Sequence, residues 1–404
     1  MVKLLQNKAI MNKFFYCRIM LAVIISGTIL PAVRAQDTGI KAGPVNFKKH
    51  IISSVFVSEG AAVGDVDNDG KTDILAGNFW FKAPRWKRTM IHTDTVTQVQ
   101  GYSTSFINFC MDVNNDGWAD LIRFDVPGGD CVWYENPKNK NKLWPPHIIL
   151  KTAGNESPAL VDVDKDGRMD LICNDTLAKQ VIWLKPPSVK GDTAWQRYII
   201  SSNSQRATHR YTHGLGWGDV NKDGRNDVVI KSGWWQSPVD VTTSEWTFHA
   251  ADFGEDCANM FVLDADEDGD QDIISSSAHD YGIWWHEQQK DAQGNAVWVT
   301  HIISKLFSES HSLALQDINA DGQPDLITGK RYFAHNGGDP GAYEPSVLYW
   351  YQFVPGKTPQ WIPNEIDNNS GIGNSFTVKD INNDQRTDII ISNKKGVFFF
   401  EQVK

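Results

Sequence analysis

Two groups of residues in this sequence have the types and spacing for chemistry, and one ruler places both. The first is an acidic nonapeptide that recurs seven times: DVDNDGKTD at 65–73, DVNNDGWAD at 112–120, DVDKDGRMD at 162–170, DVNKDGRND at 219–227, DADEDGDQD at 264–272, DINADGQPD at 317–325 and DINNDQRTD at 380–388. Positions 1, 3, 5 and 9 are Asp65, Asp67, Asp69 and Asp73 in the first copy, and Asp112, Asn114, Asp116 and Asp120 in the second. They continue as Asp162, Asp164, Asp166 and Asp170; Asp219, Asn221, Asp223 and Asp227; Asp264, Asp266, Asp268 and Asp272; and Asp317, Asn319, Asp321 and Asp325. Oxygen donors at alternating positions suit a hard cation, so structural calcium is expected, with the carbonyl of position 7 as a further ligand. The same side chains also cap turn amides with no ion present. Position 6 is glycine in six copies and Gln385 in the seventh, where calcium is expected least. No copy has the glutamate at position 12 of a helix–loop–helix calcium hand, so these loops join strand to strand.

The second group is found by counting back six residues from each first aspartate. This gives Glu59, Phe106, Glu156, His213, Ala258, His311 and Asn374. Packing does not require two carboxylates and two imidazoles at equivalent places. Glu59, Glu156, His213 and His311 could hold a divalent metal or move protons, or simply line a solvated channel. Segments that depart from the repeat add His209, Arg210 and Tyr211, Asp256, His279, and the long turn 329–345 with Lys330, Arg331, Tyr332 and His335. Arg123, Asn174 and Lys231 follow second strands at comparable places. Such a mixture suits an acidic or oxidised sugar. An arginine or lysine would hold a carboxylate or ketone, a histidine or tyrosine would take the α-proton, and a metal or second histidine would stabilise the enolate. His213, His311, Tyr332, Arg331, Lys231 and His209 are the expected catalytic set. Arg123, Arg210, Tyr211, Lys330, His279, His335 and Asn174 are expected to bind substrate.

The elements that must position these residues are strands. An apolar strand enters each loop and a β-branched strand leaves it. An aromatic strand follows (Trp80-Phe81, Trp133-Tyr134, Trp234-Trp235), and a fourth often reads W-x-x-H-x-I. The first aspartates are 47, 50, 57, 45, 53 and 63 residues apart, the period of four-stranded propeller blades. The sequence therefore predicts an all-β, seven-bladed propeller over residues 36–404. Its N-terminal strand, His50-Ile51-Ile52, completes the last blade and so removes free sheet edges. The loops and the count-back residues then lie at opposite ends of the first strands. His50, His147, His249 and His301 recur in the fourth-strand pattern and are expected to be scaffold.

Residues 1–35 read as a secretory signal peptide. Lys3, Lys8, Lys13 and Arg18 precede an apolar run too short to span a membrane, with a small-residue cleavage site before Gln36. Removing its five basic residues takes the formal net charge from −10 to −15. Such a chain is a poor partner for nucleic acid or an anionic membrane. Cys110, Cys131, Cys173 and Cys257 have no metal-type spacing, and free buried thiols are expected, although exported proteins also form disulfides.

Strands flanking D-x-[DN]-x-D-G-x-x-D resemble FG-GAP/VCBS repeats, which implies a propeller and leaves function open among adhesins, receptors and enzymes. Two stretches, HGLGWGDVNKDGRNDVVIKSGWWQSP at 213–238 and ESPALVDVDKDGRMDLICND at 156–175, are similar to carbohydrate-active propellers of the aldos-2-ulose dehydratase kind. That resemblance implies β-elimination on a sugar, sometimes with a metal in the site. The expectation is thus an exported carbohydrate lyase or dehydratase. A glycan- or protein-binding propeller and a glycoside hydrolase are the competing readings.

Overall fold

The computed structural model describes residues 45–93 and 101–404. The expected signal peptide lies outside the described residues. Nearly all regular structure is β-strand, with one short 3₁₀ segment at Ala334–Gly337. Five sheets have four strands each, and a sixth has seven. In the seven-stranded sheet a single long strand, Pro146–Val161, is shared by two units. Its first half pairs with Gly129–Tyr134 and its second half with Asp170–Asp175. The strand Asn46–Ser53 pairs antiparallel with Gly396–Val403, in one sheet with Asp388–Asn393 and Phe376–Lys379.

Each unit is a meander whose first and second strands are joined by an acidic loop. Val63 faces Ile74 across the first such loop, and Val378 faces Ile389 across the last. The second strands are buried throughout, which explains their continuous apolar runs. Apolar clusters join neighbouring units: Leu75 with Leu121 and Tyr134, Ile122 and Trp133 with Leu171 and Ile182, Ile274 and Trp285 with Leu326 and Tyr351. One cluster unites Ile74 and Phe81 from the start of the chain with Ile390 and Phe399 from its end.

The four fourth-strand histidines are scaffold, as expected. Each lies directly opposite an aromatic residue of the third strand: His50 on Phe399, His147 on Trp133, His249 on Trp234 and His301 on Trp285, with centroids 4.1–5.1 Å apart. Each ring also bonds a third-strand carboxylate or amide: Glu401, Glu135, Gln236 and Glu287. The four described cysteines are free thiols.

Candidate functional site

All seven count-back residues are buried, and backbone bonds fix where they stand. The Glu59 N–H donates to Ser105 O at 2.9 Å, and its carbonyl accepts the Asn374 N–H at 2.6 Å. The Glu156 N–H donates to Thr212 O, which brings Glu156 beside His213. Asn374 reaches across to donate Nδ2–H to the Glu156 carbonyl at 2.8 Å. Gly214, with φ +73°, lets the chain turn after His213 where a Cβ would lie 2.5 Å from Cys257 Sγ. The long turn supplies Arg331, whose N–H bonds the Glu309 carbonyl.

The side chains meet at Glu156. Its Oε2 lies 3.6 Å from His213 Nε2, 3.7 Å from His311 Nε2 and 3.7 Å from Arg331 Nη1. Arg331 Nη2 stands 3.5 Å from Glu59 Oε2, and the guanidinium lies over the Phe106 ring. Glu59 therefore pairs with the arginine and stays apart from the imidazoles. His279 completes a group of three histidines, with centroids 4.6 Å from His213 and 5.2 Å from His311. One ligand atom from each of the three lies within 4.8 Å of the others. His335 stacks on His279 at 4.5 Å, and its Nδ1 bonds Asp339 Oδ2 at 2.7 Å.

Burial sets the charge states. It pushes the Glu156 carboxyl up to about 7; Arg331 opposes this and Glu59 adds to it. It drives His213 down to about 3, with His279 adding to the effect, and His311 well below its usual value, with Arg331 adding. His279 is also lowered, by burial and by His335, against the pull of Asp339. At neutral pH these imidazoles are uncharged ligands or bases. Neither ring nitrogen of His311 has a hydrogen-bond partner, and His213 has only a weak pull from the Tyr211 backbone. The three side-chain nitrogens of Arg331 likewise have no hydrogen-bond partner, although two of them face carboxylates at ion-pair distance.

Above this floor lies a cavity of about 440 Å³ lined by Tyr102, Phe106, Glu156, Tyr211, His213, His279, Arg331 and His335, among others. His209, Tyr211, His213 and Asp256 also line a second cavity of about 780 Å³, with Lys179, Arg206, Arg210 and Lys231 on its walls. Lys231 bonds Asp256, and Arg210 Nε donates to Pro127 O at 2.9 Å.

Four expected site residues stand elsewhere. Arg123 donates to Asn78 Oδ1 at 2.6 Å and lies over the Tyr134 ring. Lys330 is buried against Glu309 and Ser308. Tyr332 lies against Lys395. Asn174 donates to His209 O and so holds the loop that carries His209. Conversely, Tyr102, Val126, Pro127 and Asp339 belong to the site region without having been expected. Asp339 stands in the turn sequence GGDPG, and Tyr102 carries no repeat signal.

The acidic loops form the other candidate site. Position 1 accepts the amides of positions 5 and 6, as Asp219 does from Asp223 and Gly224, except in the fifth loop, where Asp264 accepts only from Gly269. Position 9 accepts the amide of position 2 in all seven copies. The residues still fit a cation. Asp67 Oδ1, Asn114 Oδ1 and Asp264 Oδ1 are buried without partners, and Asp264, Asp266 and Asp268 offer oxygens within 4.8 Å. Asp65, Asp67 and Asp73 also converge, as do Asp162, Asp164 and Asp166, but there Lys82 and Lys185 place an ammonium between positions 3 and 5. Asp223 is engaged by Arg225, and Asp116 by Lys138. Gln385 adopts φ +66°, so the seventh loop keeps the shared turn without glycine.

The family described as an FG-GAP-like repeat matches residues 112–173 and 264–328. Both matched segments fall within the succession of antiparallel sheets. No curated protein matches the sequence. The extracellular domain of a hybrid two-component system protein, BT3049 from B. thetaiotaomicron, is similar in structure, with TM-score 0.48 and 12% identity over 89% of this chain. This chain spans 41% of that one. Rhamnogalacturonan lyase YesW is similar with TM-score 0.44 and 10% identity, over 85% of this chain and 71% of that one. Among the described residues no helix is long and apolar enough to cross a membrane.

Proposed function

We propose that this chain is an exported, carbohydrate-active propeller of seven blades, closed by its N-terminal strand, that eliminates across a C–O bond of an acidic sugar. The pairing of Asn46–Ser53 with the last strand supports closure, as does the apolar cluster shared by the two ends of the chain. The observation that carries the chemistry is His335, bonded to Asp339, on the wall of a cavity that Arg331 also lines.

The roles follow from that geometry. A proton held on His335 Nδ1 by Asp339 leaves Nε2 as the base, the arrangement that orients an imidazole for proton removal. Arg331 would bind the sugar carboxylate and stabilise charge that develops on it. Tyr211 or Tyr102 would protonate the leaving oxygen. One C–H bond and one C–O bond break, one C=C bond and one O–H bond form, and the proton lost from carbon is balanced by the one given to oxygen. The adjoining basic cavity suits further units of an anionic glycan. Calcium in the acidic loops, held by residues such as Asp264, Asp266 and Asp268, would be structural and supply no step.

The test is to incubate the full chain with uronate-containing and neutral glycans. We expect new absorbance from an unsaturated product with an acidic glycan. Reducing ends released without absorbance would make the chain a hydrolase, and saturable binding without turnover a binding module. Either outcome overturns the elimination reading.

A further inference from the structure

We propose that His213, His279 and His311, beside Glu156, form a binding site for one first-row transition dication of the zinc type. The distances carry the argument. His213 Nε2 and His311 Nε2 stand 3.6 and 3.7 Å from Glu156 Oε2, too far for hydrogen bonds. In a tetrahedral site with metal–ligand bonds of about 2.1 Å, neighbouring ligand atoms lie about 3.4 Å apart. The contacts are therefore too long for a bonded network, and the three imidazoles each offer a nitrogen within 4.8 Å of the others, a spacing that one ion could bridge. Both nitrogens of His311 are also buried without hydrogen-bond partners, a costly state unless something else engages them.

The donor set selects the ion. Three imidazoles favour zinc-like metals, whereas the oxygen-only acidic loops favour calcium. A second histidine group, His279, His335 and Asp339, offers an alternative. Its members already bond one another at 2.7 and 3.2 Å and are half-exposed, so it is satisfied without an ion. The Arg331 guanidinium opposes a cation, but Glu59 at 3.5 Å offsets its charge. As chemistry, the inference rests on the elimination reading, to which it adds positive charge beside the substrate carboxylate.

The probe is cobalt(II), titrated into the chelator-stripped full chain with calcium in excess to fill the oxygen loops. A nitrogen-rich site of low coordination number gives intense visible bands, while six-coordinate oxygen sites are pale. We expect one equivalent with intense bands, weakened roughly 10–100-fold in His311→Ala and retained in His335→Gln. His213→Gln, with the same expectation, replaces His311→Ala should that variant fail to fold. No intense bands in the wild type overturns the site, as does wild-type affinity in a folded His311→Ala or His213→Gln. Turnover by stripped protein that lacks the bands would sink the metal and leave the elimination. A bound metal with no turnover on any glycan would do the reverse.

Discussion

His286 shows what a structural histidine looks like in this protein. It is buried, with Nε2 2.8 Å from Ser275 Oγ and Nδ1 2.9 Å from Thr300 Oγ1. Burial lowers its pKa to about 4, against a pull from Asp252 and with a push from His301. The folded value lies below the unfolded one, so the unfolded chain takes up the proton first as pH falls. Stability is unaffected above about pH 6.5 and declines from there to pH 4, by up to roughly 3 kcal/mol from this group. His286→Gln should therefore flatten that decline in denaturant unfolding followed from neutral pH to about pH 4.5. An unchanged slope would mean that other groups carry it. His213 and His311 are at least as deeply buried but lack such hydroxyl partners, the contrast on which their proposed role rests.

At the scale of the element, the ninth aspartate of each acidic loop holds the blade together whether or not an ion is bound. Asp227 accepts Val220 N–H at 3.0 Å and Ser237 N–H at 2.9 Å, tying the loop to the end of the third strand. Asp73, Asp120, Asp272, Asp325 and Asp388 make the same second bond to Ala83, Asn136, Gln288, Phe353 and Gln402. Asp170 cannot, because the corresponding residue, Pro186, has no N–H, and its Oδ1 is left unpartnered. Asp227→Ala should cost roughly 3–5 kcal/mol, since it strands two buried amides. The loss should persist in chelator, where only the two amide bonds are at stake. A loss seen only in calcium would show that this residue acts solely through the cation.

At the scale of the molecule, the first strand covers what would otherwise be the bare edge of Gly396–Val403. A chain that starts after Ser53 should melt lower and aggregate; unchanged melting and solubility would contradict ring closure by this strand. The repeat made this architecture legible, because loop, strand order and aromatic third strand recur at a steady period. It also pointed to the site, since counting back six residues found Glu59, Glu156, His213 and His311. It misplaced side chains just after second strands, where successive residues face opposite sides. Lys330 and Arg331 are neighbours, yet only Arg331 lines the cavity while Lys330 turns to Glu309. Asp339 and Tyr102 were invisible to the ruler because they sit in segments the repeat does not govern.

The most direct test of the site compares wild type with His335→Ala, a half-exposed position whose loss should leave the fold intact. Both proteins, matched for melting temperature, are given an acidic glycan and followed for unsaturated product. The account predicts product from the wild type and a loss of roughly 100-fold or more in the variant. Equal rates in the two proteins would contradict it.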